Sequence, residues 1–263
     1  MTDTAFTHRY GPLALVTGAS SGIGTGFAEE LAARGMDLVV TARRTDRLEA
    51  LAARLAAEHG ITVECLSADL TGPAAPGELL ATLAGRDVGL LVSNAGFGLK
   101  GPHEANDAAA MAEMLTVNCH APMQLAHGMI PRLKARGRGG LLFTASVEGL
   151  IGCPYSAAYA ASKALVVSLG EALWGELSPE GIDVLTLCPG PTESEAAAKQ
   201  GIDMSANPHL LPAREVARLA LDNLANGPTF VSHPVYEAMF DKMRALPRRE
   251  ALSAMAQGMK RQG

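Results

Sequence analysis

Short apolar segments alternate with helix-like segments along almost the whole chain of 263 residues. The apolar segments are rich in leucine and valine and end at turn residues, which predicts strands. Their apolar positions do not alternate cleanly, as is typical of parallel strands covered by helices on both faces. The predicted strands span 13–17, 37–42, 62–68, 88–94, 141–145, 183–188 and, more weakly, 229–232; the predicted helices span 22–34, 46–59, 106–136, 157–178 and 213–226.

This pattern favours an α/β fold, a single Rossmann-type doubly wound parallel sheet of about seven strands with helices on both faces. No linker, repeat or low-complexity segment interrupts it, so we expect one domain over residues 1–263. Residues 193–212 are expected to form a substrate lid. Residues 234–263 carry spaced methionines and leucines and are expected to form a helical tail that covers the body or a neighbouring subunit.

The composition argues against several classes of protein. Apolar residues make up 48% and charged residues 19%, which indicates a globular chain, and the net charge of −5 disfavours a nucleic-acid partner. No apolar run reaches the roughly 18 residues of a membrane span, and the first residues lack the apolar core of a signal peptide. The four cysteines are too widely spaced for a metal or redox motif. We therefore expect a cytoplasmic protein without a metal site.

The first predicted strand runs directly into a glycine-rich turn that opens the first predicted helix. A glycine at the start of the turn permits its tight geometry, and the later glycines let a pyrophosphate approach the free N–H groups of the helix. A glycine-rich run alone is weak evidence, but its place between strand and helix predicts a dinucleotide site. The cradle consists of Gly18, Ser20, Ser21, Gly22, Ile23 and Gly24.

The end of the second predicted strand indicates which dinucleotide binds. An NAD site usually has an acidic residue here, whereas this chain has Arg43 and Arg44. A guanidinium can bind a 2′-phosphate through two hydrogen bonds, so we predict NADP(H) rather than NAD(H), with Arg43 the preferred ligand. Solvation of either arginine near the next helix is the alternative. Asp69 either accepts a hydrogen bond from the adenine amino group or serves as a turn or cap residue.

Two tyrosines, Tyr155 and Tyr159, precede Lys163 in the segment SVEGLIGCPYSAAYAASK. Residues four apart share one face of a helix, so Tyr159 and Lys163 can point into one site. A nearby ammonium favours the phenolate, and we therefore expect it to lower the pKa of Tyr159 towards the range of an acid/base catalyst. Tyr155 follows a proline in the loop and is interpreted as a wall of the substrate pocket.

Six motifs occur in a fixed order. They are TGASSGIG at 17–24, SNAG at 93–96, TVNCHAP at 116–122, TASVEG at 144–149, YAASK at 159–163 and CPGPT at 188–192. Each is common alone, but the ordered set is specific, and with it the chain resembles the short-chain dehydrogenase/reductase family from Leu13 to about Ser232. The resemblance implies a nicotinamide-dependent oxidoreductase that forms a homotetramer or homodimer through the helices at 106–136 and 157–178.

The resemblance also implies roles for individual residues. The implied catalytic set is Asn118, Ser146, Tyr159 and Lys163. Tyr159 exchanges the proton, Ser146 hydrogen-bonds the substrate oxygen, and Lys163 binds the nicotinamide ribose and tunes Tyr159. Further implied cofactor contacts are Asn94, Ala95, Gly96, Pro189, Gly190 and Thr192, the last of which binds the carboxamide.

Asn118 can be argued from the residues as well, because it lies on the apolar stripe of the segment 106–136. A buried amide needs hydrogen-bond partners, so it is either a satisfied core group or part of a site. Pro122 lies four residues later and has no N–H, which frees the Asn118 carbonyl from its helical bond. Such an acceptor suits an ordered water in a proton relay.

Three positions depart from the family pattern. Ser93 stands where asparagine is common, Ala145 stands where serine is frequent, and Glu148 stands where small residues are usual. Glu148 either lines the substrate pocket or is a solvated loop residue.

Together these features predict an NADP(H)-dependent carbonyl reductase or alcohol dehydrogenase acting on an apolar ketone or secondary alcohol. One alternative is a 3-oxoacyl-thioester reductase. The other is a catalytically silent NADP-binding sensor or scaffold, although such proteins typically lose the tyrosine or the lysine.

Overall fold

A computed structural model of the protein describes residues 3–195 and 207–260. Its sheet consists of β1 (Leu13–Thr17), β2 (Asp37–Ala42), β3 (Val63–Ser67), β4 (Val88–Ser93), β5 (Gly139–Thr144), β6 (Ile182–Cys188) and β7 (Thr229–Val231). All neighbouring strands are parallel, in the order β3-β2-β1-β4-β5-β6-β7. The predicted fold class is confirmed, because this is one parallel sheet of seven strands with helices on both faces.

The helices are α1 (Thr4–Tyr10), α2 (Gly22–Ala33), α3 (Thr45–His59), α4 (Ala75–Thr82), α5 (Ala108–Leu115), α6 (Ala121–Arg136), α7 (Ala157–Leu177), α8 (Ala213–Asp222), α9 (Pro234–Ala245) and α10 (Arg248–Lys260). The sequence pattern did not predict α1 and α4, which are each under three turns long. Asp3 caps the N-terminus of α1, where its carboxylate accepts a hydrogen bond from the Phe6 N–H at 3.0 Å.

The core lies on both faces of the sheet, because successive side chains of each strand point in opposite directions. Leu15, Leu91 and Phe143 pack with α4, α6 and α7 on one face. Val16 and Leu142 pack with α2, α3 and α8 on the other. Burial on both faces explains why these strands are continuously apolar in the sequence.

The single helix predicted over 106–136 is divided by a π-helical turn at Thr116–His120. The Ala121 N–H donates to the Thr116 carbonyl across this turn. Pro122, which cannot donate an N–H, lies in the first turn of the helix that follows, α6. The wider turn carries Asn118 into the protein interior, where 1% of its surface is exposed.

The tail consists of two helices, α9 and α10, rather than the one that we expected, and they meet at Leu246 and Pro247. Phe240 and Ala251 from these helices belong to the same buried cluster as Val147 and Ile151. Most of the predicted lid, residues 196–206, lies outside the described residues. Of its described part, Leu211 pairs with Thr192 in an isolated parallel bridge. No helix in the described ranges is long and apolar enough to cross a membrane.

Candidate active site

β1 and β4 are neighbours in the sheet, but the helices that follow them pack on opposite faces of it. The site lies at the carboxyl ends of these two strands. In doubly wound sheets this switch point opens a crevice at the carboxyl ends of the strands. The Thr17 hydroxyl accepts hydrogen bonds from the N–H groups of Asn94 and Ala95, both at 3.0 Å. The Asn94 amide donates to the Thr17 carbonyl and accepts from the Thr144 hydroxyl at 3.2 Å. Asn94 thus joins the ends of β1, β4 and β5 and forms the floor of the crevice.

The glycine-rich turn between β1 and α2 forms a cradle that only glycines fit. Gly18 and Gly22 have φ angles of 68° and 56°, in the left-handed region that glycine adopts without strain. A Cβ atom at Gly24 would lie 2.1 Å from the Gly18 carbonyl oxygen. The backbone can therefore approach a bound pyrophosphate closely at the first turn of α2, beside the hydroxyls of Ser20 and Ser21. These features fit a dinucleotide.

Arg44, rather than Arg43, reaches this cradle. Its guanidinium donates to the hydroxyl of Ser21 at 2.8 Å and to the hydroxyl of Ser20 at 3.2 Å. Arg43, the ligand that the sequence favoured, is exposed to solvent. Asp69 is exposed and accepts hydrogen bonds from the N–H and hydroxyl of Thr71, as a turn residue does, while its contact with adenine stays a prediction.

Asn118 connects the loop after β4 to helix α7. Its amide donates to the Phe97 carbonyl at 2.9 Å and to the Ser162 hydroxyl at 3.0 Å, and its oxygen accepts from the Phe97 N–H at 3.1 Å. The side chain is thus a satisfied buried group that also shapes the site. A Cβ atom at Gly96 would lie 2.9 Å from the Asn118 oxygen and 3.2 Å from Lys163 Nζ, which places all three groups together.

Lys163 is buried, with 4% of its surface exposed, and donates to the Thr144 carbonyl at 2.8 Å. Burial disfavours the charged ammonium and lowers the pKa of Lys163 to about 8, against smaller opposing effects of Cys119 and Cys188. The lysine can therefore exchange a proton close to neutral pH.

Tyr159 lies one helical turn before Lys163, and the Lys163 ammonium is 5.8 Å from the centre of its ring. The pKa of Tyr159 is raised, first by burial and then by the charge of Glu148, while a hydrogen bond with Ser146 acts in the opposite direction. The expectation that Lys163 lowers this pKa is wrong for this structure. The ammonium faces the Thr144 carbonyl, and desolvation of the phenol dominates.

Ser146 is buried at the start of a short 3-10 turn, and its hydroxyl accepts from the Glu148 N–H at 3.2 Å. The Val147 N–H donates to the Pro189 carbonyl at 3.2 Å, which joins the loop that carries Ser146 to the loop after β6. In that loop the Thr192 hydroxyl donates to the Gly190 carbonyl at 3.0 Å. The ring of Tyr236 covers Gly190, where an added Cβ would meet it at 2.9 Å.

Glu148 is ion-paired and partly buried, so it is not a freely solvated loop residue. Its carboxylate contacts the ammonium of Lys100, and only 23% and 24% of the two side chains are exposed. Lys100 also donates to the buried Ser156 hydroxyl at 3.0 Å and lies 5.4 Å from the centre of the Tyr159 ring. The second carboxylate oxygen of Glu148 is buried and has no hydrogen-bond partner among the described residues. The charge of this carboxylate lies close enough to Tyr159 to raise the pKa of its phenol.

Tyr155 is the only non-glycine residue in the described ranges with a positive φ angle, 60°. For an L-residue this conformation costs about 1–2 kcal/mol. Its carbonyl accepts a hydrogen bond from the Gly101 N–H at 2.8 Å, which joins the loop after β4 to the loop before α7. The strained residue therefore lies where these two loops meet, four residues before Tyr159.

Four contributors to this region were missed from the sequence: Lys100, Tyr236, and the pair Arg47 and Glu195, whose side chains contact each other. Arg47 lies three residues after Arg44, which caps α3, and this spacing was a usable signal that the two side chains are neighbours. The other three come from loops or from the tail, and no local pattern identifies them. In the described part of the chain, no cluster of histidine, cysteine and acidic side chains could hold a metal ion.

A protein-family model described as short chain dehydrogenase matches residues 12–205. The chain belongs to the short-chain dehydrogenase family. This confirms the resemblance drawn from the six motifs. The solved structure of a short-chain dehydrogenase from Sphingobium yanoikuyae in complex with NADPH is 36% identical to it, with 95% of both chains covered and a TM-score of 0.80. A family member from Burkholderia phymatum in complex with NAD is 27% identical, with a TM-score of 0.79 over 88% of this chain and 92% of that one.

Two curated relatives differ from each other in the substrates that their names imply. A very-long-chain 3-oxoacyl-CoA reductase of Meyerozyma guilliermondii is 34% identical over 185 residues, 66% of this short-chain dehydrogenase. Because the match covers 54% of that relative, our chain spans about half of its length. A 7beta-hydroxysteroid dehydrogenase of Clostridium sardiniense is 33% identical over 187 residues, 71% of this chain and 72% of the relative. Family membership therefore leaves the substrate of this short-chain dehydrogenase open.

Proposed function

We propose that this short-chain dehydrogenase is an NADP(H)-dependent oxidoreductase that interconverts a ketone and a secondary alcohol. The observation that carries the proposal is the grouping of Ser146, Tyr159 and Lys163 at the carboxyl ends of β4 and β5, in the crevice that the glycine cradle opens. Each of these side chains can act on one oxygen atom of a substrate or on its proton.

NADP(H), when bound in the cradle, supplies or accepts the hydride. Tyr159 donates its phenolic proton to the carbonyl oxygen during reduction and takes a proton from the alcohol during oxidation. Ser146 donates a hydrogen bond to the same oxygen and stabilises the charge that develops on it. Because the pKa of Tyr159 is raised, the phenol stays protonated at neutral pH, which is the form that reduction requires. Lys163, with a pKa of about 8, is positioned to return a proton towards Tyr159.

The preference for NADP(H) is proposed from the charge around the cradle. Arg44 lies against Ser20 and Ser21, and Arg47 lies one turn further along α3. Guanidinium groups suit a 2′-phosphate, which an acidic residue at this place would repel. The NADPH complex of the Sphingobium relative is consistent with this choice, and the NAD complex of the Burkholderia protein shows that the family also uses the other cofactor.

We propose a bulky, mostly apolar substrate with one polar group. Tyr155 and Tyr236 offer aromatic walls, while the Glu148–Lys100 pair offers a polar one. A steroid-like or aryl ketone matches this combination, and the hydroxysteroid dehydrogenase relative is consistent with it. The 3-oxoacyl-thioester remains a second candidate, since another relative bears that activity in its name.

Initial rates with a substrate panel test the proposed function. The panel combines aryl and polycyclic ketones, simple 3-oxoacyl thioesters and the matching alcohols, each with NADPH and NADH, followed by absorbance of the reduced nicotinamide. We expect the highest kcat/KM for a bulky ketone with NADPH, at least about tenfold above NADH. A higher kcat/KM for the thioesters favours the second candidate. Turnover of no carbonyl substrate with either cofactor contradicts the enzymatic proposal.

Glu148→Gln is expected to shift the pH dependence of ketone reduction towards lower pH. The carboxylate raises the pKa of Tyr159, and its replacement by an amide leaves the Lys100 ammonium near the ring without its counter-charge. The pKa of Tyr159 then falls, so the protonated phenol is lost at a lower pH and reduction declines there. The measurement is kcat against pH.

The matched control for this prediction is Glu176→Gln. Glu176 is exposed on α7, the helix that carries Tyr159, and lies about 25 Å from Tyr159 along the helix axis. The control removes the same charge and should leave the profile in place. A profile that is unchanged in Glu148→Gln, or that moves equally in both variants, contradicts the role given to Glu148.

Homo-oligomer formation is also proposed. Four large apolar side chains are exposed on α5, α6 and α7, the helices for which an interface was expected: Leu115, Met123, Leu165 and Trp174, with 45%, 42%, 38% and 37% of their surfaces exposed. Apolar side chains on the helices that the family uses for assembly support a subunit interface there.

A further inference from the structure

Glu195 places a carboxylate beside the phosphate cradle, in contact with two arginines. One of its oxygens lies 2.8 Å from Arg44 Nη1, and the other contacts Arg47 Nη1. The same Arg44 guanidinium donates to the hydroxyls of Ser20 and Ser21. The carboxylate therefore occupies an anion site that borders the glycine turn.

This arrangement has the chemistry of a phosphate site. A phosphate monoester presents several oxygens to neighbouring guanidinium groups, as the two oxygens of Glu195 do here. Both arginines belong to the segment that follows β2, where a short-chain dehydrogenase with a 2′-phosphorylated cofactor needs positive charge. Glu195, by contrast, comes from the segment after β6, on the far side of the cradle.

We infer that Glu195 is an internal competitor of the cofactor's 2′-phosphate. Its carboxylate neutralises Arg44 and Arg47 and must leave them when NADP(H) binds, so Glu195 sets the affinity for NADP(H) without affecting that for NAD(H). This inference rests on the proposed NADP(H) function. It explains how two cations can stay close together and ordered before the cofactor arrives.

The exposure of the three side chains allows the exchange. Arg44, Arg47 and Glu195 are 32%, 46% and 39% exposed. Ion pairs of this exposure are weak because water and salt screen them, so a dianionic phosphate can displace the carboxylate. Loss of the competition is therefore expected to strengthen NADPH binding by about three- to tenfold.

The experiment measures dissociation constants of NADPH and NADH for the wild type and for Glu195→Gln, by the change in nicotinamide fluorescence on binding. We expect the variant to bind NADPH about three- to tenfold more tightly and NADH with unchanged affinity. Unchanged or weaker NADPH binding overturns the inference. Equal tightening of both cofactors also overturns it, because competition for the 2′-phosphate site cannot affect NADH.

Two further variants separate this inference from the function beneath it. Glu193→Gln removes a nearby carboxylate and should leave both affinities unchanged. If it strengthens NADPH binding as much as Glu195→Gln does, general charge is the cause and the inference fails.

Arg44→Ala should weaken the binding of NADPH at least about tenfold more than the binding of NADH. If Arg44→Ala shows that selectivity while Glu195→Gln has no effect, the NADP(H) preference stands and only the competition is refuted. If Arg44→Ala weakens both cofactors equally, the NADP(H) assignment itself fails.

Discussion

Tyr159→Phe is expected to lower kcat for ketone reduction by about 100- to 10,000-fold, the range in which a positioned general acid contributes. Phenylalanine keeps the ring that packs against Gly98, where an added Cβ would lie 3.1 Å from Tyr159 Cδ2, and removes the hydroxyl. The fold and the cradle should therefore remain intact, and NADPH affinity should change by less than about twofold. Initial rates and cofactor titration measure the two quantities separately.

Tyr155→Phe provides the matched control. It removes the same hydroxyl four residues earlier, from a ring that we interpret as a pocket wall. Its kcat should stay within a few-fold of the wild type, with any change appearing in KM. Undiminished turnover in Tyr159→Phe contradicts the proposed mechanism. A kcat loss in Tyr155→Phe as large as that in Tyr159→Phe would contradict the interpretation of Tyr155 as a pocket wall.

Gly24→Ala is expected to weaken NADPH binding strongly and to lower the free energy of unfolding by about 1–3 kcal/mol, as overpacking of a close contact does. The added methyl would lie 2.1 Å from the Gly18 carbonyl oxygen and 2.6 Å from the Asn94 amide nitrogen. Neither can retreat easily, because Gly18 N–H bonds to the Thr41 carbonyl and Asn94 joins the ends of three strands. Urea unfolding and NADPH titration measure the two effects.

Gly77→Ala makes the same substitution in an open place. Gly77 is an exposed helical residue where the added methyl would meet no atom within 4 Å beyond its chain neighbours and the backbone of its own helix. Because alanine is the better helix former, this control should leave stability unchanged or raise it by up to about 1 kcal/mol. If Gly24→Ala behaves like Gly77→Ala in both measurements, close backbone approach at the cradle is not required.

The sequence predicted the sheet well because buried parallel strands leave long apolar runs. The predicted strands 13–17 and 37–42 coincide with β1 and β2, and the others differ from the observed ends by one or two residues. Short helices such as α4 leave a weaker pattern, since two turns present few periodic positions. The division of the helix predicted over 106–136 was also missed, although Pro122 marked the place where a backbone donor is lacking.

Site residues that belong to one local motif could be predicted from the sequence, whereas properties that depend on tertiary packing could not. Tyr159 and Lys163 share a helix face, so their proximity follows from spacing alone. The pKa of Tyr159 did not follow, because its direction depends on burial and on Glu148, which tertiary packing determines. The choice between Arg43 and Arg44 likewise depends on which side chain turns towards Ser20 and Ser21. The sequence alone therefore determines neither the direction of the Tyr159 pKa shift nor the arginine that reaches the cradle.

The tail has a consequence for how such a protein can change its substrate. The cradle and all four implied catalytic residues lie within 12–205, the part that matches the family model. Tyr236, which covers Gly190, and Phe240, which belongs to the same buried cluster as Ile151, lie beyond it. One wall of the proposed substrate pocket is thus encoded beyond the stretch that carries the proposed chemistry, while Glu148 and Tyr155 lie within that stretch. Exchange of the terminal stretch between relatives can produce chimeras that keep the same hydride chemistry while acting on a different ketone.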